Sequence, residues 1–164
     1  HGVTTTPIQL AKGYAILANG GYDVKPTLIK EKFYNLKKKR ILNKDVSIQI
    51  NKMLRKVVTH GTATLSDVEG YEIGGKTGTA QIVENGVYTN KKINTFASVF
   101  PSSDPKYVLV ILLEDTKLSK NYVYKYRNKP GSFKGTPFNT AGWTSVEITG
   151  KIIDKIGPIL ATKY

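Results

Sequence analysis

Cysteine is absent from the 164-residue sequence, which excludes disulfides, thiolate nucleophiles and zinc sites built on sulfur. Acidic residues are scarce, with 12 Asp plus Glu against 25 Lys plus Arg, and the formal net charge is +13. Histidine occurs only at His1 and His60, and His60-Gly61 has the pattern of a helix end. A histidine-based triad or metal site is therefore not predicted, and no cofactor is expected.

Long apolar runs are also missing. The longest one, Val108 to Leu113, is far shorter than the roughly 20 residues that a membrane-spanning helix needs. The first residues lack the pattern of a signal peptide, so the chain as written is expected to be soluble. Its hydrophobic content of 40% is enough for the core of one compact unit, and residues 1–164 show no sign of a second domain.

Positive charge is densest in the run Lys37 to Arg40. Clustered cations attract polyanions, so one interpretation is a basic non-enzymatic module that binds nucleic acid or an anionic membrane surface. No aromatic or arginine-rich stacking pattern accompanies the run, and lysine dominates over arginine throughout the chain. The pattern therefore favours a solvated loop, and no nucleic-acid partner is expected.

Periodic apolar residues predict two helices in the first part of the chain. Thr4 to Pro7 supply a cap and a first-turn proline for a helix that ends at Asn19-Gly20-Gly21. The second helix is predicted from about Val46 to Thr59, with Asn43 or Asp45 as its cap.

The pattern changes to strands from Tyr71 onward. Strands are predicted over Tyr71 to Ile82, Asn94 to Phe100 and Tyr107 to Glu114. Glu84-Asn85-Gly86 and Pro101 to Pro105 supply the turns, so these strands should form an antiparallel meander.

A long polar and aromatic segment follows, and the chain ends in a helix. Leu118 to Thr136 is predicted as a surface loop whose tyrosines pack back on the body. The last helix is predicted over Thr140 to Leu160, where Gly157-Pro158 should kink or end it. Helices before and after a run of strands indicate an α+β fold, with helices packed on the faces of an antiparallel sheet.

One glycine-rich stretch supports two incompatible interpretations. Gly70 to Thr77 matches the spacing of a phosphate-binding loop, in which Gly and four further residues precede Gly-Lys-Thr. That loop needs a buried apolar strand before it and a helix that begins at Lys76. Thr64 to Glu69 is too polar for such a strand, and Gly78 disfavours the helix. A nucleotide-binding enzyme is therefore the less favoured alternative.

The second interpretation places Lys76-Thr77-Gly78 on an edge-like strand, as in penicillin-binding proteins and serine β-lactamases. This resemblance gives Lys76 the role of a fixed cation near the nucleophile and the substrate carboxylate. The hydroxyl groups of Thr77 and Thr79 would hold that carboxylate. Gly78 would let a peptide backbone approach closely, and the main-chain amide of Thr79 would be one donor of an oxyanion hole.

Longer stretches resemble class B penicillin-binding proteins in order and spacing. They are His1 to Gly21, Gly70 to Ala80, Asn85 to Tyr88, Phe96 to Pro101 and Asp104 to Tyr107. Ala141-Gly142-Trp143 resembles the division-type members of that family, the septal peptidoglycan transpeptidases. The similarity is weakest over Glu31 to Ser47 and Leu118 to Asn139.

The resemblance implies a serine-type D,D-transpeptidase that crosslinks peptidoglycan stem peptides at the division septum and is acylated by β-lactam antibiotics. It also implies a lipid-linked precursor as substrate, and divisome proteins that include a glycosyltransferase as partners. The expected location is the periplasmic face of the inner membrane, with a membrane anchor outside this chain. The fold would be the C-terminal portion of one transpeptidase domain, with three strands of its central five-stranded sheet.

The family also needs Ser-x-x-Lys for the nucleophile and its base, and Ser-x-Asn for proton relay, both before the Lys-Thr-Gly strand. Ser103 to Lys106 and Ser119 to Asn121 have these spacings, but both follow that strand. Ser103 lies in a proline-flanked turn, whereas the family's nucleophile begins a helix that aims the lysine at its hydroxyl. Both matches are rejected, so this chain alone is expected to be catalytically inactive.

Overall fold

The computed structural model describes residues 4–29, 39–117, 119–135 and 138–163. Lys37 and Lys38 of the basic run lie outside these residues, as does Leu118. The α-helices and strands, in chain order, are α1 (Pro7–Ala18), α2 (Lys44–Thr59), β1 (Gly74–Glu84), β2 (Val87–Phe100), β3 (Tyr107–Glu114), β4 (Val123–Lys125), β5 (Ser132–Lys134) and α3 (Ser145–Ala161), and a 3₁₀ helix (Thr64–Ser66) lies between α2 and β1. No helix in the described ranges is both long and apolar enough to cross a membrane.

Local capping explains where the first two helices begin. The Thr6 hydroxyl accepts the Gln9 N–H at 3.3 Å and the Gln9 side chain accepts the Thr6 N–H at 2.9 Å, which is a complete capping box. In α2 the Asn43 side chain accepts the Asp45 N–H at 2.9 Å. The helix therefore begins at Lys44, two residues before the predicted start, and the predicted cap Asn43 is confirmed.

The sheet is an antiparallel meander in the order β1-β2-β3, as predicted. The bounds of β3 match the prediction, whereas β2 begins at Val87 and not at Asn94. Residues 87–91 lie beyond the pairing of β2 with β3, so with β1 they form a two-stranded ribbon that extends past β3. Because most of this ribbon is exposed, its sequence lacks the apolar alternation of a half-buried strand.

Helices cover both faces of the sheet, which confirms the α+β prediction. Helices α1 and α2 pack on one face, where Ala18, Leu54 and Val99 form a small buried cluster. Helix α3 packs on the opposite face over the larger core. The buried members of that core are Val58, Ala63, Leu65, Val68, Ile73, Phe96, Phe100, Tyr124, Val146 and Ile153.

Helix α3 departs from the prediction at both ends. It begins at Ser145 because residues 140–144 form successive turns, and it continues through Gly157 and Pro158 to Ala161. Gly157-Pro158 therefore does not end the helix, which was one of the two effects predicted for this pair. Gly157 packs against the ring of Tyr71, where an added Cβ atom would lie 2.4 Å from ring carbons. The glycine thus permits a close helix contact.

The segment predicted as a long surface loop contains a short hairpin, β4–β5, held against α3 by buried polar contacts. Tyr124 of β4 is 5% exposed and packs on Phe133 and Trp143, so the expected inward packing of the tyrosines is confirmed for it. Arg127 donates two hydrogen bonds to the Glu147 carboxylate, at 2.9 and 3.0 Å, and a third to the Leu65 carbonyl.

The Arg127–Glu147 ion pair should contribute strongly to stability, because its side chains are only 10% and 6% exposed. Replacing Arg127 by alanine leaves a buried carboxylate short of its main partner, and we expect a loss of roughly 3 to 5 kcal/mol in the free energy of unfolding. Urea unfolding measures this loss. The control is Lys91→Ala, which removes an ion pair whose members are each 49% exposed and should leave the midpoint nearly unchanged. Equal midpoints for the two variants would contradict the prediction.

Candidate active site

Strand β1 carries Lys76 to Thr79 along an edge of the sheet, since within the described ranges it pairs only with β2. Side chains alternate along a strand, so the motif divides between two faces. The register places the two threonines, Thr77 and Thr79, on the face that α3 covers. Lys76 and Gly78 lie on the face of α1. The predicted site residues therefore come together only at the free edge of β1.

The direction of the backbone groups follows from the register. The Asp115 N–H donates to the Lys92 carbonyl at 2.8 Å, so even-numbered residues in this part of β2 direct their N–H and C=O groups toward β3. Odd-numbered residues of β2 then direct their N–H and C=O groups toward β1, and their register partners there are even-numbered residues such as Lys76, the partner of Ala97. Thr77 and Thr79 are odd-numbered residues of β1, so their N–H and C=O groups point away from β2. The predicted oxyanion donor, the Thr79 amide, is thus directed to the free edge.

The threonine hydroxyl groups face a cavity of about 370 Å³. The Thr77 hydroxyl lies 2.8 Å from that of Thr62, and the Thr79 hydroxyl accepts the Ala141 N–H at 3.0 Å. The turn that carries Ala141 lies close to Thr62 because residue 142 is a glycine: an added Cβ atom there would lie 2.8 Å from the Thr62 carbonyl oxygen. Short hydroxyl groups at one end of a cavity are suited to binding a carboxylate.

Aromatic side chains form the other end of the same cavity. Tyr126, Phe133 and Trp143 line it, with ring centroids 5.8 Å apart between the first two and 5.3 Å apart between the last two. Tyr122 and Tyr124 lie behind this wall, and burial raises the pKa of both phenols. The hydrogen bond from Tyr122 to the Glu147 carboxylate, at 2.8 Å, adds to that rise. The cavity thus joins a polar end to an apolar end.

Lys76 occupies the opposite side of the strand. Its Nζ donates to the Thr77 carbonyl at 2.8 Å. This carbonyl is available because it points away from β2. A smaller cavity of about 200 Å³ lies on this side, between the motif and the residues Leu10 and Tyr14 of α1. The ammonium group is exposed, so it can reach a ligand that lies along the edge.

The phosphate-binding alternative is contradicted by the path of the backbone. Strand β1 begins at Gly74 and runs through Lys76 and Thr77 to Glu84, so no helix begins at the lysine. The helix end that would bind phosphate is therefore missing from this stretch. Likewise, Ser103 begins no helix: its hydroxyl donates to Glu72, while Lys106 pairs with Asp104 at 2.8 Å.

Several residues of the cavity carry no local signal in the sequence. No motif or spacing around Thr62 indicates a place in a site. Phe133 belongs to a segment whose composition indicates only a loop, and Ala141 contributes a backbone N–H that any residue except proline would supply. Ala141-Gly142-Trp143 points to the site only through the resemblance to division-type transpeptidases. These positions become a site only through tertiary contacts.

Comparison with known proteins gives a consistent picture. The model of the penicillin binding protein transpeptidase domain matches residues 1–132. The probable peptidoglycan D,D-transpeptidase FtsI of Caulobacter vibrioides is 28% identical over 99% of this chain, and the FtsI homolog of Mesostigma viride is 32% identical over 74%. Stage V sporulation protein D of Bacillus subtilis is 36% identical over 71% of this chain. The chain spans only 27%, 24% and 20% of the lengths of these relatives, respectively.

Solved structures agree with the sequence matches. The transpeptidase domain of the FtsI4 D,D-transpeptidase from Legionella pneumophila aligns with 93% of this chain, with a TM-score of 0.65 and 27% identity. The transpeptidase domain of penicillin-binding protein 3 from Burkholderia pseudomallei aligns with 97% at a TM-score of 0.74, and at 21% identity it supports the fold alone. The chain covers 47% and 44% of those two structures.

The two glycines that flank Lys76 and Thr77 should respond differently to alanine. A Cβ atom at Gly75 would lie 2.6 Å from the Ala97 carbonyl oxygen and from the Phe96 ring, whereas one at Gly78 would have no neighbour closer than 4.0 Å. We expect Gly75→Ala to lower the free energy of unfolding by about 1 to 3 kcal/mol or more. Gly78→Ala should stay within about 0.5 kcal/mol of the unsubstituted chain. Urea unfolding tests both, and a large loss for Gly78→Ala would contradict the open space at that position.

Proposed function

The chain belongs to the penicillin-binding protein transpeptidase family, and from this membership we propose that it forms the substrate-binding part of a serine-type peptidoglycan D,D-transpeptidase. The observation that carries the proposal is the free edge of β1. There, two hydroxyl groups face one cavity and the Thr79 N–H is directed outward. In this role residues 1–164 are the C-terminal portion of a single transpeptidase domain.

The proposed carboxylate site consists of Thr77 and Thr79. Their hydroxyl groups lie on the same face of β1 at the polar end of the 370 Å³ cavity. The carboxylate of a terminal D-alanine accepts hydrogen bonds only, so both hydroxyl groups would act as donors. Lys76, at the same edge, would add a charge that attracts this anion.

The proposed oxyanion site uses the Thr79 N–H. The serine nucleophile, supplied by another part of the protein, would attack the carbonyl carbon of the penultimate D-alanine while its proton passes to the base lysine. The negative charge that develops on the carbonyl oxygen would be stabilised by the Thr79 amide. The C–N bond to the terminal D-alanine then breaks, and that amine leaves with a proton. An amine of a second stem peptide attacks the resulting ester and completes the crosslink.

A β-lactam would follow the first half of this reaction. Its ring amide takes the place of the scissile peptide bond, and its carboxylate takes the place of the D-alanine carboxylate at Thr77 and Thr79. Gly78 favours close approach of either ligand, because it has no side chain and even an added Cβ atom would have no neighbour closer than 4.0 Å.

The wider role we propose is crosslinking of stem peptides from lipid-linked precursors during septal wall synthesis. Two observations support this role. The sequence Ala141-Gly142-Trp143 resembles division-type members, and relatives from Caulobacter vibrioides and Mesostigma viride are named as FtsI or an FtsI homolog. In this role the whole protein would act at the periplasmic face of the inner membrane. It would work with divisome proteins that include a glycosyltransferase.

Labelling with a fluorescent penicillin tests the proposal. We expect the full-length protein to become covalently labelled, and its Lys76→Ala variant to be acylated on the order of 100-fold more slowly, because a charge that stabilises the transition state is lost. Residues 1–164 alone should not be labelled.

The matched control is Lys91→Ala in the full-length protein, since Lys91 is an exposed lysine on β2 that pairs with Glu84. It should be labelled at the unsubstituted rate. Absence of labelling in the full-length protein would refute the proposed function. Covalent labelling of residues 1–164 would show that one of the rejected serines, such as Ser103 or Ser119, is a nucleophile.

A further inference from the structure

A buried polar cluster lies beside the motif strand. Asn94 of β2 is fully buried, and its Nδ2 donates to Asn139 Oδ1 at 2.6 Å and to Thr116 Oγ1 at 3.0 Å. The Asn139 Nδ2 in turn donates to the Thr116 main-chain carbonyl at 3.1 Å. The cluster joins β2, the second residue after the end of β3 and the segment that precedes α3.

The orientation of both amides is fixed by these partners. A carbonyl oxygen accepts only, so Asn139 must direct its Nδ2 toward Thr116 and its Oδ1 toward Asn94. Asn94 must then present its Nδ2, which leaves its Oδ1 buried without a partner among the described residues. The Asn94 side chain therefore joins three segments of the chain through its Nδ2 group, which an apolar residue could not do.

The cluster is connected to the proposed carboxylate site. Asn94 is the register partner of Thr79, and both side chains lie on the α3 face of the sheet. Asn139 is two residues before Ala141, whose N–H donates to the Thr79 hydroxyl at 3.0 Å. Asn94 and Thr116 together hold the Asn139 side chain, with the Asn94 amide making the shortest of these hydrogen bonds, and so they hold the turn that presents this N–H.

The Ala141 N–H determines what the Thr79 hydroxyl can do. A hydroxyl group has one hydrogen to donate and two positions that accept. With one accepting position taken by Ala141, the hydrogen must point elsewhere, and the 370 Å³ cavity is the open direction. The hydroxyl is thereby arranged to donate to a ligand that only accepts, which is the property of a carboxylate.

We propose that Asn94 is a positioning residue for carboxylate recognition, acting through Asn139 and Ala141 on the donor direction of the Thr79 hydroxyl. It does not touch the substrate. This inference rests on the proposed function, and it assigns a role in specificity to a side chain beneath the site.

The test compares benzylpenicillin with its methyl ester, which lacks the negative charge. The second-order acylation rate of each is measured on the full-length protein, and the ratio of acid to ester is the readout. We expect the unsubstituted protein to prefer the acid, and Asn94→Ala to lower the ratio by about tenfold, the effect of weakening one hydrogen bond to a charged group. A general loss of stability would slow both ligands alike and leave the ratio unchanged.

The matched control is Asn51→Ala. Asn51 is also buried, and its Nδ2 also donates to a neighbour, the Ala18 carbonyl at 2.9 Å. Its Oδ1, like that of Asn94, has no partner among the described residues, but Asn51 lies on α2. Its replacement should leave the ratio unchanged. Asn139→Ala breaks the same link at a half-buried position, and should reproduce the effect even where Asn94→Ala does not fold.

A double substitution identifies the route. If Asn94 acts through Thr79, adding Asn94→Ala to Thr79→Ala should not lower the ratio further. An unchanged ratio in both Asn94→Ala and Asn139→Ala would overturn the inference while the proposed function stands. Full additivity of the two substitutions would also overturn it. Absence of acylation in the unsubstituted protein by either ligand would instead refute the proposed function.

Discussion

The one-sided pairing of β1 is the constraint on which the site depends. Because β1 bonds only to β2 among the described residues, one row of its backbone groups is left for a ligand. The register with β2 then decides which groups these are, and a shift by one residue would turn the Thr79 amide inward and exchange the faces of Lys76 and Thr77. Gly75 helps to fix that register, because its missing side chain lets the Phe96 ring and the Ala97 carbonyl lie against the strand.

The cavity beside β1 depends on contacts that are far away in the sequence. Arg127 and Glu147 fasten the β4–β5 hairpin to α3, and the same hairpin brings Phe133 to the aromatic wall. Gly142, next to the Ala141 N–H that Thr79 accepts, lets the turn lie against the Thr62 carbonyl beyond the end of α2. A buried ion pair and a glycine contact therefore shape a site that neither of them touches.

Local patterns predicted the parts of the fold that are decided locally. The bounds of β3 and the Asn43 cap follow from alternation and capping, and the place of Lys76 to Thr79 on an edge strand follows from a motif and its context. The start of β2 is not predicted, because a strand that is exposed on both faces does not alternate apolar and polar residues. The β4–β5 hairpin was missed because its strands have three residues each and are stabilised by tertiary packing. The roles of Thr62 and Ala141 rest on hydrogen bonds between segments that no spacing rule connects.

The division of the motif between two faces limits how a ligand can bind. Lys76 lies on the α1 side and the hydroxyl groups of Thr77 and Thr79 on the α3 side, so no ligand buried on one face can contact all three. Only a ligand that lies along the free edge can do so, and there it also meets the outward N–H and C=O groups of the two threonines. An extended peptide satisfies this geometry by adding to the sheet as a further strand. Under the proposed function, the backbone of the stem peptide would therefore supply much of the binding, and its terminal carboxylate would set the position of the scissile bond along β1.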